Sequence, residues 1–265
     1  LNIHGVYIRV AGISKQRRRL RLEGDRFPAD KVFGVGDEIW PVHRLTVARG
    51  EPRRITRIVG RKGLQLEIEL DRPLDGEFAC GDFVENTSWT PDIRIHNCRF
   101  GRANRARGIL LTSPGRVEVF DNRFETAGTA ILIEGDVNYW FESGRTRNVV
   151  IRNNRFGTMA TGGRSPQAVL QIDPVISHDA RSGGTPYHGC IRFEGNLVES
   201  FDNQLIYALS VDSLVISRNR FVDSRRFEPR FAGLSVIDAQ HCRSVTVRNN
   251  DFSGWKENST ISLVD

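Results

Sequence analysis

Three carboxylates and three consecutive aromatics crowd into eleven residues of this chain: Glu134-Gly135-Asp136-Val137-Asn138-Tyr139-Trp140-Phe141-Glu142-Ser143-Gly144. Paired carboxylates can divide the roles of proton donor and base in cleaving a glycosidic bond. The flat faces of Trp and Tyr offer apolar platforms with a polar tip, suited to sugar rings. Asp136 and Glu142 are the leading acid/base candidates, with Glu134 next, and Asn138 and Trp140 are expected sugar contacts. A loop that only packs would not ordinarily carry three acids among three aromatics.

Other residues converge on the same place. Asn104-Arg105-Ala106-Arg107-Gly108 leads into Ile109, and stacking Gly108 on Ala130 brings Arg107 to the edge that carries the acidic loop. An Arg there could keep a carboxylate charged or donate to hydroxyls. Short apolar segments end alike at Thr112, Glu134, Asp173, Asp212 and Asp238. Stacked in register about 4.8 Å apart, these ends would form a polar column, and Asp173 is its expected site organiser. For any single acid, capping a turn is the commoner role. His4, in Asn2-Ile3-His4-Gly5, and Asn2 itself are the remaining proposed contacts. His43, His96, His178, His188 and His241 share no metal-ligand spacing, and Cys80, Cys98, Cys190 and Cys242 form no C-x-x-C pair, so no zinc site is expected from them. The Gly-rich stretch from Arg181 to Gly189 reads as a mobile surface loop.

The elements that must hold these residues declare themselves through a phrase repeated six times, apolar-x-apolar-x-x-Asn-x-apolar. It runs from Ile93-Ile95-Cys98-Phe100 through Val117-Val119-Asn122-Phe124 to Val245-Val247-Asn250-Phe252, with Cys98, a small residue expected to be buried, replacing the first Asn. Alternating apolar residues make a short strand with one buried face. The Asn then turns the chain, tolerating left-handed dihedrals. Uneven loops between identical turns describe an all-β chain, a right-handed parallel β-helix with an asparagine ladder, better than a β-sandwich. The phrase is missing between about Gly12 and Trp89, where Leu64-Gln65-Leu66-Glu67-Ile68-Glu69-Leu70 and several Gly-Asp turns predict a small antiparallel β-barrel. The expected division is a β-helix strand at 1–11, an inserted barrel at 12–89 and β-helix coils at 90–265.

The net charge of +6 is concentrated in the segment up to and including Arg72, where sixteen Lys or Arg face nine Asp or Glu. Arg17-Arg18-Arg19-Leu20-Arg21 invites a nucleic-acid reading, but only aliphatics accompany the cations, so a solvated basic loop and no nucleic-acid partner are expected. No apolar stretch reaches the 18 residues of a membrane span, and no membrane insertion is expected.

The blocks Leu1-Asn2-Ile3-His4-Gly5-Val6-Tyr7-Ile8-Arg9-Val10, Glu85-Asn86-Thr87-Ser88-Trp89-Thr90-Pro91-Asp92, Asn104 to Leu110 and Glu134 to Gly144 occur in an order that resembles glycoside hydrolase family 110, the bacterial α-1,3-galactosidases. The resemblance implies a secreted or periplasmic inverting exo-glycosidase without metal or cofactor, acting on galactose-terminated oligosaccharides of blood-group-B or linear type. It also implies an Asp-Asp pair just before the Asn-x-His-Gly phrase, ahead of Leu1, so residues 1–265 alone are expected to be inactive and to associate through an open coil edge. Two other readings are a polygalacturonase-like hydrolase or lyase and a non-catalytic glycan-binding solenoid. The acidic loop disfavours the first, and binding without turnover would mark the second.

Overall fold

The computed structural model describes residues 1–101, 107–164, 166–177, 184–255 and 260–264. Among these, parallel strands stack into three faces of a β-helix, and a closed antiparallel barrel of six strands is inserted after the first rung. The first face begins with Asn2–Ile3 and continues through Ile109–Leu111, Ile131–Ile133, Leu170–Ile172 and Ile206–Leu209 to Ile237–Gln240 and Ile261–Val264. The second face carries the alternating half of the repeat, paired so that Ile93, Val117, Val149, Ile191, Leu214 and Val245 form one inward row. The third carries the Phe half, with Phe100, Phe124 and Phe156 stacked at ring separations of 4.6 and 5.0 Å.

The asparagine ladder runs the length of the second-to-third corner. Each side-chain oxygen accepts from the backbone N–H of the ladder residue one coil earlier: Asn122 from Cys98 at 3.0 Å, then Asn154, Asn196, Asn219 and Asn250 in turn at 2.9–3.0 Å. Each side-chain N–H of Asn122 through Asn219 also donates to the next Asn, so buried amides are satisfied coil by coil. The left-handed residue is the one before the ladder position, with φ near +54° to +60° at Asn97, Asp121, Asn153, Gly195, Arg218 and Asn249. The ladder Asn therefore serves as a bonding group, not as the strained one. Cys98 is exposed instead of buried, and all four cysteines are free.

The barrel begins earlier than residue 12. Gly5–Ile13 pairs antiparallel with Arg19–Glu23 on one side and Phe83–Asn86 on the other, leaving only Asn2–Ile3 in the β-helix. The alternation Leu66, Ile68, Leu70 packs inward with Leu20, Leu22, Ile39, Ile55 and Val84. The arginine run caps carbonyls: Arg17 donates to Leu74 and Phe78 and Arg18 to Leu70 and Asp71. No helix of the described residues is long and apolar enough to cross a membrane.

Barrel and β-helix share a core in which Tyr7, Val42, Val47 and Phe83 meet Val137, Tyr187, Tyr207 and Leu209. Polar groups lock this joint. Arg49 and Glu85 form a buried ion pair at 2.5 Å, and the Tyr7 and Tyr187 hydroxyls are 2.7 Å apart. Burial raises the carboxyl of Glu85 and holds His188 down at about 3, so this imidazole is neutral and bonds through Nδ1 to Thr146. Tyr187 and His188 are thus core residues, not part of a surface loop; His178 and residues 181–183 lie outside the described residues.

Candidate active site

The acidic loop occupies the corner where first-face strands end, beside the inserted barrel. Its apolar residues anchor it, with Val137 buried and Phe141 half-buried in the joint, while Asn138, Tyr139 and Trp140 stay exposed. Its return strand, Glu142–Ser143, adds to the barrel, with Glu142 opposite Val6 and Ser143 opposite Gly5. The chain then leaves through Gly144 at φ +124°, where a Cβ would come within 2.3 Å of the Thr112 carbonyl oxygen. The barrel's first strand thereby fixes the backbone of Glu142, a role that no feature of the loop sequence announced.

Each acid of the loop has a different environment. The carboxylate of Asp136 is buried and accepts three backbone N–H groups, Asn138 at 2.6 Å, Tyr139 at 3.1 Å and Trp140 at 2.7 Å. That arrangement organises the loop and leaves little of Asp136 for a substrate. Glu142 is 6% exposed, its Oε1 lies 3.7 Å from His4 Nε2, and its Oε2 has no hydrogen-bond partner among the described residues. His4 Nδ1–H donates to the Gly5 carbonyl at 2.8 Å, which turns Nε2 toward the acid.

Glu134 is half-buried, and its carboxyl is pushed up to about 7. Burial is the main cause, reinforced by the charges of Glu142, Asp173 and Asp136 and opposed by Arg107. The strand register explains the crowding. Continuing Leu110↔Leu132 by two residues sets Thr112 against Glu134, and continuing Ile133↔Ile172 by one sets Glu134 against Asp173. Asp173 is steadied by Gln171, whose Nε2 donates to its Oδ2 at 3.1 Å while Thr129 donates to the Gln171 oxygen at 2.8 Å. The acidic column stops there. Leu209 follows Asp173, Asp238 pairs with Tyr207 two residues before Leu209 and so falls in the Gln171 row, and Asp212 lies on the second face bonded to Arg243. The strand before Asp212 is Ile206–Leu209, ended by Ser210 at φ +60°, so the acid falls past the corner.

Gly108 packs against Ala130 as the sequence suggests; a Cβ there would meet the Ala130 carbonyl at 2.7 Å. Arg107, beside it, is close enough to act on Glu134 electrostatically, whereas Asn104, Arg105 and Ala106 lie outside the described residues. Asn2 is exposed on the outer face of its strand, opposite Leu110. From the barrel, Arg26 places its guanidinium 4.4 Å from the Trp140 ring and 4.9 Å from Tyr139. Gln171 and Arg26 were missed in the sequence; Gln171 could have been found from its place two residues before Asp173 on an outward strand position. Among the described residues, no group of three or more His, Cys, Asp or Glu is arranged to hold a metal ion.

No family model matches the chain. It is 32% identical over 257 residues to alpha-1,3-galactosidase B of Bacteroides thetaiotaomicron, covering 96% of this chain and 41% of that protein. It is 30% identical over 267 residues to alpha-1,3-galactosidase A of Bacteroides fragilis, covering 98% and 43%. A third relative, alpha-1,3-galactosidase B of Akkermansia muciniphila, is 30% identical over 222 residues, with coverage of 83% and 28%. The chain thus spans less than half the length of these curated relatives. Over nearly all of its own length it is similar to bacterial α-1,3-galactosidases, the family that its residue blocks resemble.

Proposed function

We propose that this chain builds the sugar pocket of an exo-acting, inverting α-1,3-galactosidase that removes terminal galactose from oligosaccharides or glycoconjugates. The observation that carries this reading is Glu134, a half-buried carboxyl pushed up to about 7 among three other acids. A carboxyl with that affinity still holds its proton in about half of the molecules at neutral pH, where an ordinary carboxyl has lost it, and so can act as a general acid for the departing glycosidic oxygen. Glu142, buried beside it with one oxygen uncommitted, is the proposed base that activates water on the opposite face of the ring. Asp173 and Arg107 tune Glu134 from opposite sides, and Asp136 keeps the loop in shape. Asn2, His4, Asn138 and Trp140 supply the remaining sugar contacts. The activity is proposed for the whole protein, whose relatives are more than twice the aligned length.

Glu134→Gln in the whole protein tests this. Removing a general acid lowers kcat by about 10²–10⁴-fold with little change in KM. A near-normal kcat on α-1,3-galactobiose would remove Glu134 from the mechanism.

A further inference from the structure

Trp89 has no part in the site described so far, yet it is 69% exposed, more than any other large apolar side chain among the described residues. Its backbone is pinned where the barrel returns to the β-helix. Ser88 N–H donates to Asn86 Oδ1 at 2.8 Å, Ser88 Oγ accepts from the Glu38 N–H at 2.7 Å, and Thr90 Oγ1 donates to the Thr87 carbonyl at 3.0 Å. An indole held in water on a fixed turn is a platform without a partner.

The platform borders a cleft of about 70 Å³ whose walls include Ile3, His4, Thr112, Ser113 and Ser143. His4 is the shared wall, since its Nε2 lies 3.7 Å from Glu142 Oε1. Thr112 is set against Glu134 one coil on, so the cleft opens one coil before the proposed acid, on the side away from Asp173. We propose that Trp89 and this cleft form a second saccharide subsite, which takes the sugar to which the terminal galactose is linked. The inference rests on the galactosidase reading above and adds what lies beyond the scissile bond.

The chemistry of the lining restricts the occupant to a neutral sugar. Among the described residues no Lys or Arg lines the cleft, and the one carboxylate that does, Glu85, is already paired with Arg49. A uronate or sialic acid would bring an anion with no cation to meet it. Pockets that enclose a small ligand run from about 300 Å³ upward. A cleft this small instead receives one edge of a ring, with the ring face on the indole.

The test compares Trp89→Ala and Trp89→Phe with the unmodified whole protein, titrating galactose and α-1,3-galactobiose calorimetrically at low temperature in the Glu134→Gln background to stop turnover. The readout is the ratio of the two affinities. Trp89→Ala is expected to reduce the preference for the disaccharide by about tenfold, and Trp89→Phe, which keeps an aromatic face, is expected to restore most of it. An unchanged ratio in Trp89→Ala, with the disaccharide still bound, overturns the subsite and leaves the galactosidase reading intact. If the parent Glu134→Gln protein binds neither sugar, both readings fall.

Discussion

The raised carboxyl of Glu134 makes Glu134→Gln an unusual substitution, one that should abolish activity and stabilise the fold at the same time. In the folded chain the carboxyl holds its proton up to about 7, whereas in the unfolded chain it releases it near 4.5. Between those values the native state binds more protons than the unfolded state, so stability falls as pH rises through the window. Below 4.5 the penalty is absent, and above 7 it is complete. A carboxyl moved from 4.5 to about 7 corresponds to about 3 kcal/mol at about 1.4 kcal/mol per pH unit. Glu134 is only half-buried, so solvent screening reduces this to about 1–2 kcal/mol. A neutral amide of the same shape escapes the penalty. Urea denaturation of both proteins at pH 4 and pH 8.5 measures the effect as the difference between variant and parent. That difference should be near zero at pH 4 and about 1–2 kcal/mol in favour of Glu134→Gln at pH 8.5. A pH-independent difference, or a variant less stable at pH 8.5, would refute the assignment of a crowded, proton-holding carboxyl.

Three further substitutions separate the scaffold from the chemistry. Asp136→Asn leaves one oxygen for three backbone N–H donors and turns an NH₂ toward them, which should cost about 1–3 kcal/mol and show in calorimetry; unaltered stability would mean the loop does not depend on this cap. Asn154→Ala removes the buried side-chain bonds to Asn122, Asn196 and Val119, with an expected loss of about 2–4 kcal/mol and a lower melting temperature. Glu85→Ala strands the buried Arg49 cation, costing about 3–5 kcal/mol; in limited proteolysis the barrel should then become susceptible, and equal resistance would argue against a locking role for the pair.

The rungs were legible because a one-coil repeat must place the same polar group at the same corner each time, and Asn122, Asn154, Asn196, Asn219 and Asn250 do so. The barrel was legible from Leu64–Leu70, but its start was not, because Gly5–Ile13 alternates as a rung strand would and only long-range pairing with Phe83–Asn86 assigns it. The acidic loop stood out by composition alone. How its acids divide their work did not, since that depends on which backbone amides Asp136 captures and on the barrel strand that holds Glu142. Asp212 and Asp238 resembled column residues because similar tripeptides precede them, but Asp238 stands two residues short of the column, opposite Tyr207, and Asp212 lies past the corner on the second face.

The acid cluster is proposed to belong to an enzyme that cleaves terminal α-1,3-linked galactose with inversion. Proton NMR of the whole protein acting on α-1,3-galactobiose observes that directly, before the released sugar equilibrates. With inversion, β-galactose accumulates first, and Glu134→Gln suppresses it. First release of α-galactose, or no release at all, would contradict that proposal.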